Sequence, residues 1–400
     1  VRKAIEIEPA SATFYINLGL IYQDLGNHDQ ALKATTKSLE LKPGNAISYI
    51  NLGTIYKEVA LRKPNMHRQH ILEKAFEMLL NNENICHSKL SNIFINAFLT
   101  VFQQAINSEP IISAKNTKLN DLASSFCLRK SLTLLIPPHP EIEYFLTRFR
   151  EELLIIASKF YFIPDNLRPL SEALATQCFL NEYAYAQSRN EEELVEKLID
   201  QVLQSQEVFN QYLPIIACYR PIHALGINNE WLNTYPLTSD ESKTLIRTQY
   251  HEPQQEEKLM SSLQGISTIS DTVSANVKAM YEENPYPRYR FADFIDQNAA
   301  MNVSTYIKLE STKENLPFME DLTNNNAYPK VLIAGCGTGS QVILGSRYKN
   351  AQITAIDLST KSLAYAMRKV KEYQMENVDF KMMDLLDVAN LNDRFDLIEC

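Results

Sequence analysis

Glycine is scarce in this chain, 10 residues in 400, so any place where several cluster needs a physical reason. There is no basic surplus: 39 Lys and Arg stand against 48 Asp and Glu, a net charge of −9, with no Lys/Arg run. That excludes a nucleic-acid surface built on bulk electrostatics. No C-x-x-C pair occurs. The six cysteines, Cys86, Cys127, Cys178, Cys218, Cys336 and Cys400, are scattered, which excludes a disulfide frame or a cysteine zinc site and reads as reduced intracellular thiols. No apolar run approaches the ~18 residues of a bilayer span; the nearest, Leu153 to Ala157, is broken by Ser158 and Lys159. A soluble, cytoplasmic protein is expected. Terminal stop signals are missing too. The chain begins on Val1 inside a helical pattern and ends on Cys400 inside a strand pattern, so a fragment truncated at both ends is expected and the lack of a targeting peptide says nothing.

What is present centres on Pro329 to Asp357. Val331 to Ala334 is a short continuous apolar run, as in a buried parallel strand, and it stops in Gly335-Cys336-Gly337-Thr338-Gly339. Ser340 to Tyr348 reads as a short helix, and Ala351 to Ile356 as a second strand ending on Asp357. In this β-α-β unit, glycines at alternate positions let backbone approach a ligand and take conformations a Cβ forbids. The helix start adds unpaired N–H groups, and a strand-end acid can accept ribose hydroxyls. The pattern points to a nucleoside-containing ligand. It is not the dinucleotide fingerprint G-x-G-x-x-G, because Ser340 stands where the third glycine belongs.

These residues resemble class I S-adenosylmethionine-dependent methyltransferases. VLIAGCGTGSQ is similar to the family's first motif and ITAIDLS to its second; Phe380 to Asp384 is similar to the third, and Phe395 to Cys400 to the start of the fourth. The resemblance implies S-adenosylmethionine as cofactor. Gly335, Cys336 and Gly337 would lie along its methionine and ribose, in a loop completed by Thr338 and Gly339. Asp357 would hold the ribose hydroxyls, Leu358 would flank the adenine, and Asp384 would accept the adenine amino proton. No catalytic base is identifiable; Glu399 could point into the site or face neither cofactor nor substrate. The resemblance places substrate-facing residues after the fourth strand, so this fragment is expected to be inactive by itself.

At the other end the sequence repeats. Tyr15, Asn17-Leu18-Gly19 and Tyr22 recur 34 residues later as Tyr49, Asn51-Leu52-Gly53 and Tyr56. The period resembles the tetratricopeptide repeat, about two copies over 1–59. Gly19 and Ala31 are small where paired helices approach, Leu18 and Tyr22 fill the groove, Gly26 makes the turn, and Pro43 stops the second helix. Such repeats form a concave surface for a protein or peptide partner, or else a spacer or dimerisation arm.

Residues 60–267 read as helix after helix without a catalytic constellation. The clearest helix is Asn190 to Gln204, with Asn190 as N-cap, glutamates 191–193 in the first turn and a solvated charged face. The aromatics of Gln177 to Tyr183 and of Tyr219 to His223 are expected in the core, although both segments loosely resemble stretches of bacterial repeat-bearing methyltransferases. His67 and His70 lack companions at ligand spacing, so no metal site is assigned. In 268–327, Val277, Met280 and Tyr281 suggest a short amphipathic helix ended by Asn284-Pro285, before the aromatic, cationic strap Tyr286-Pro287-Arg288-Tyr289. The strap either covers the cofactor mouth, with Arg288 near an anionic group, or is a linker packed on the sheet edge. Glu310 to Tyr328 reads as loop. The expected fold is therefore a helical repeat and helical middle region followed, at 328–400, by an α/β Rossmann-like methyltransferase domain with an incomplete parallel sheet. Two other functions stay open: a non-catalytic repeat scaffold with a degenerate cofactor domain, and an NAD-dependent oxidoreductase. The methyl acceptor cannot be read.

Overall fold

A computed structural model describes residues 1–42, 48, 51–55, 58, 66–159, 163–263, 271–283, 285–314 and 327–400, without the side chains of 66–69 and 313. Pro43, Tyr49 and Tyr56 of the repeat pattern, the His67 side chain, Asn284 and Asn324 to Asn326 lie outside these described residues. The chain forms two compact units, Val1–Tyr250 with Tyr289–Phe291, and His251–Arg288 with Ala292–Cys400. The second unit thus takes in the helix Glu252–Met260, which composition alone groups with the middle region.

The described part of the first unit is helical. Helices Ala12–Asp24 and His28–Leu41 pack closely because the contact is small: Ala31 is buried, and a Cβ on Gly19 would lie 2.8 Å from the Thr35 hydroxyl. Gly26, at φ +68°, makes the turn between them, a conformation that costs a Cβ-bearing residue. Further along, Phe94, Phe102, Phe145 and Phe149 run through the core from the helix Ser91–Ala105 to the helix Pro140–Ser158, with Phe102 and Phe145 centroids 4.9 Å apart. Burying each such ring is worth roughly 2–3 kcal/mol.

The helix Arg189–Val202 departs from expectation at its start. Its N-cap is Ser188, not Asn190, in a capping box whose other half is Glu191. Nor are its charges all solvated: Glu191 is buried, accepts from the Tyr219 hydroxyl at 2.8 Å and pairs with buried Arg150 at 3.5 Å. Arg150 in turn sits over the Tyr219 ring at 4.4 Å and donates to the Ala186 carbonyl. A carboxylate that satisfies a helix start, a phenol and a guanidinium together can be buried; the charge count along the chain does not reveal this.

A π-helical turn at Arg247–His251 carries Gln249, which is fully buried. Its amide nitrogen donates to the carbonyls of Ala175 and Ala217, and its oxygen accepts from the Tyr183 hydroxyl and the Ile222 N–H, so all four positions are used. His223 lies alongside, its Nδ1 3.2 Å from the Gln249 carbonyl and its ring against Phe179. The residue itself is exposed, so of the segment Tyr219 to His223 the tyrosine lies in the core and the histidine covers the π-helical turn from the surface.

The second unit holds a four-stranded parallel sheet in the order β3-β2-β1-β4, from β1 (Lys330–Ala334), β2 (Gln352–Asp357), β3 (Val378–Met382) and β4 (Leu397–Glu399). The chain moves outward from β1 to β3 and returns to the other side of β1, so the order reverses between β1 and β4, the place where open α/β sheets present ligand crevices. Between β1 and β2 the helix is only Ser340–Leu344, followed by a 3₁₀ turn, Gly345–Arg347. The helix Thr360–Glu372 joins β2 to β3. Two expectations fail here. Residues Glu310 to Lys313 end a helix, Val303–Lys313, rather than forming loop, because its Tyr306 docks edge-on against buried Tyr348 at 5.3 Å. The helix Thr272–Glu283 is present, but Val277, Met280 and Tyr281 remain more than a third exposed, so its apolar period does not mark a core face. No described helix is long and apolar enough to cross a membrane.

Candidate functional site

At the end of β1 the backbone turns sharply, and the N–H groups of Gly335 and Cys336 both donate to the Ile356 carbonyl of β2, at 2.9 and 3.0 Å. Gly335, Gly337 and Gly339 have φ of +70°, +52° and +88°. All three are left-handed, which explains why glycines alternate here in a chain that uses so few. Among the described residues, a Cβ built on Gly337 would meet no atom within 4 Å, so the loop is open to them at that point.

Asp357, at the end of β2, fastens this loop. One carboxylate oxygen accepts the Gly337 N–H at 2.8 Å and the other the Ser359 N–H at 2.9 Å. Burial raises its pKa above the ordinary aspartate value, and the charge of Glu282 acts in the same direction, against the backbone N–H groups that stabilise the anion. Leu358 follows, half-buried. Beyond β3, Met383 donates its N–H to the Asp357 carbonyl, and the Leu385 side chain lies 3.7 Å from where a Gly335 Cβ would be. Asp384 is buried and caps the 3₁₀ turn Leu385–Leu391 by accepting the Leu386 N–H at 3.0 Å. The glycine loop, Asp357-Leu358 and Asp384 therefore meet at the carboxyl ends of β1, β2 and β3.

Two side chains of the glycine loop are turned into the protein. Thr338 is buried and its hydroxyl donates to the Pro287 carbonyl at 2.8 Å. Cys336 is buried as well; burial and the nearby Asp357 push its thiol pKa well up, so it is held as a protonated thiol and not as a nucleophile. Glu399 is paired with the Arg347 guanidinium and the Tyr348 hydroxyl, and Arg347 lies over the Tyr306 ring at 4.4 Å. These partners come from the segment after Ser340–Leu344, so Glu399 braces that side of the sheet.

Two neighbours carry no signal in the sequence pattern. Glu282 accepts from the Thr360 N–H and hydroxyl at 2.5 and 2.8 Å, at the start of the helix Thr360–Glu372. Gly345 packs on the sheet: a Cβ there would come within 2.7 Å of the buried Ile353 side-chain end, which would have to shift to admit it. The anionic group beside Arg288 is Glu256, at 3.7 Å, and Tyr365 lies under its guanidinium at 5.9 Å. The strap is thus anchored to the helices Glu252–Met260 and Thr360–Glu372.

Comparison with known proteins adds the following. Residues 331–400 match the family model described as a methyltransferase domain, and residues 12–45 match the tetratricopeptide repeat. An uncharacterized protein of Synechococcus sp. is 40% identical over 74 residues, 18% of this chain and 18% of that protein. The malonyl-[acyl-carrier protein] O-methyltransferase of Acetivibrio thermocellus is 35% identical over 101 residues, 25% of this chain and 34% of the enzyme. The chain thus spans about a third of the length of one of these curated relatives and less than a fifth of the other.

Proposed function

For a chain that carries a tetratricopeptide repeat at 12–45 and a methyltransferase domain from residue 331, we propose S-adenosylmethionine-dependent methyl transfer, with the repeats recruiting a protein or peptide partner. The observation that carries this reading is the Asp357–Gly337 hydrogen bond beside a left-handed glycine that opens onto free space. The cradle fits a nucleoside. Asp357 spends one lone pair of each oxygen on backbone and keeps acceptor capacity for ribose hydroxyls, since a carboxylate offers about four acceptor positions. Gly335, Cys336 and Gly337 present backbone, Leu358 supplies an apolar flank, and Asp384 stands at the third strand's end.

The chemistry that bound S-adenosylmethionine supplies is an electrophilic methyl on a sulfonium, a leaving group that needs no protonation. The protein's part is then to hold and orient the reactants and to keep water out. Cys336 takes no covalent role, because its thiol stays protonated and buried. Glu399 takes none as a base, since its carboxylate is engaged by Arg347 and Tyr348.

Calorimetric titration with S-adenosylmethionine and S-adenosylhomocysteine, with NAD as the control and Asp357→Ala as the site variant, tests the reading. Micromolar binding, on the order of −8 kcal/mol, lost in the variant, is the expected result. Binding of NAD in preference would favour an oxidoreductase, and binding of neither would leave a repeat scaffold with a degenerate cofactor domain.

A further inference from the structure

The glycine loop and the loop after Asp357 are both tied to one segment that the fold places ahead of the sheet. Thr338, 2% exposed, donates its hydroxyl to the Pro287 carbonyl at 2.8 Å. Ser359, fully buried, donates to the Tyr281 carbonyl at 3.2 Å while capping the helix Thr360–Glu372 with the same oxygen. Glu282 adds its carboxylate to the start of that helix through Thr360. The segment has its own anchor away from these loops. Arg288 pairs with Glu256 and stacks on Tyr365, and nearly buried Arg368 engages the same two residues, at 2.8 Å and 4.6 Å.

We propose that this segment is a positioning brace for the cofactor loops, with Thr338 as the positioning residue that fixes the glycine loop and Ser359 and Glu282 as its counterparts on the Asp357 loop. Three left-handed glycines at alternate positions give the loop little intrinsic preference for one shape, and glycine carries the largest backbone freedom to lose. A buried hydroxyl–carbonyl bond at the middle of the loop removes that freedom before any ligand arrives, so binding does not have to. The brace also explains why a threonine stands among the glycines: the tether needs a hydroxyl, and the β-branch restricts its rotation. Arg288 acts at a distance from the loops, as the strap's anchor. The consequence for ligand affinity rests on the cofactor reading above; the brace itself does not.

The test uses the whole chain and three variants. Thr338→Val keeps the shape and removes the donor, Thr338→Ser restores it, and Glu282→Gln weakens the second tie without touching the loop. Amide hydrogen exchange at Gly335 to Gly339 is expected to quicken at least tenfold in Thr338→Val and return towards the parent rate in Thr338→Ser, while β1 and β2 amides such as Ile333 and Ala355 stay protected. Affinity for S-adenosylmethionine is expected to fall about tenfold in Thr338→Val and recover in Thr338→Ser. Unchanged loop exchange in Thr338→Val overturns the brace, whatever the cofactor does. If exchange quickens but the parent binds no S-adenosylmethionine, the brace stands and the cofactor reading falls. Loss of protection throughout the sheet in Thr338→Val, unrescued by serine, overturns the proposal in favour of a general packing role; Glu282→Gln, expected to quicken exchange at Leu358 to Thr360, keeps the Asp357 side testable on its own.

Discussion

Asp357 accepts the Gly337 N–H at 2.8 Å, so the acid at the end of the second strand is also the clasp of the turn at the end of the first. Any change to the carboxylate acts on ligand contact and on loop shape together.

This coupling gives cofactor binding a pH dependence. Burial raises the Asp357 pKa, so protonation on acidification begins at a higher pH than for an ordinary aspartate near 4. The anion is the stronger acceptor for ribose hydroxyls, and protonation turns one of its oxygens into a donor, so affinity should fall as pH drops through that raised value. The sign for folding is opposite: a raised carboxyl pKa contributes stability that is present at low pH and is lost as pH rises through it. Calorimetric titrations of the parent at successively lower pH should show this loss; an affinity that stays level down to the ordinary aspartate range would contradict it.

Gly337→Ala separates ligand space from protein space. The left-handed φ of +52° costs an alanine about 1–2 kcal/mol, but no protein atom meets the new methyl. Thermal melting should shift by a few degrees, while cofactor affinity should fall by more than tenfold because the methyl enters the open side of the loop. Equal losses in both measurements would mean the open side is not where the ligand lies.

In the helical unit, Glu191→Ala should be severe. It strands the Arg150 guanidinium, 1% exposed, and removes the Tyr219 acceptor and half a capping box. Breaking a buried pair from one side costs roughly 3–5 kcal/mol. Denaturant unfolding of the parent, of Glu191→Ala and of the doubly apolar Glu191→Leu with Arg150→Met should place the double variant closer to the parent than the single one.

His87 provides an acid sensor of stability. Its ring is 1% exposed and 5.4 Å from that of Phe291, and burial, with Lys130 adding to it, lowers its pKa to about 4. The imidazole is therefore neutral in the fold, and its contribution is present above about pH 6.5 and lost as pH falls towards 4. Over that window it amounts to on the order of 3 kcal/mol. Replacing His87 by Leu should flatten the acid limb of the stability curve.

How much of this was legible beforehand varies with how local the cause is. β1, β2, the glycine turn and Asp357 could be read because an apolar run, a Cβ-free turn and a strand-end acid each declare themselves within a few residues. The repeat helices are readable for the same reason, since Gly19 and Ala31 answer to close contact within one hairpin and Gly26 to its own left-handed φ. Glu191 was misjudged as solvated because its partners, Arg150 and Tyr219, are 41 and 28 residues away. Thr338 looked like a cofactor ligand by motif position, and only the carbonyl of Pro287, 51 residues earlier, shows what its hydroxyl does. For Arg288 the sequence leaves open a cover, with the arginine near an anionic group, or a linker; its Glu256 partner depends on how the helix Glu252–Met260 folds back, and no period in the sequence encodes that.

The saturated amide of Gln249 has a consequence for how the protein ages. Direct hydrolysis of a glutamine side chain to glutamate needs water at the amide carbon, and here the amide is fully buried with both donors and both acceptor positions already taken. Deamidation at this position therefore requires the π-helical turn to open first. In a stored sample, the slow appearance of glutamate at residue 249 would count openings of that turn, a chemical clock for a motion that leaves no other trace.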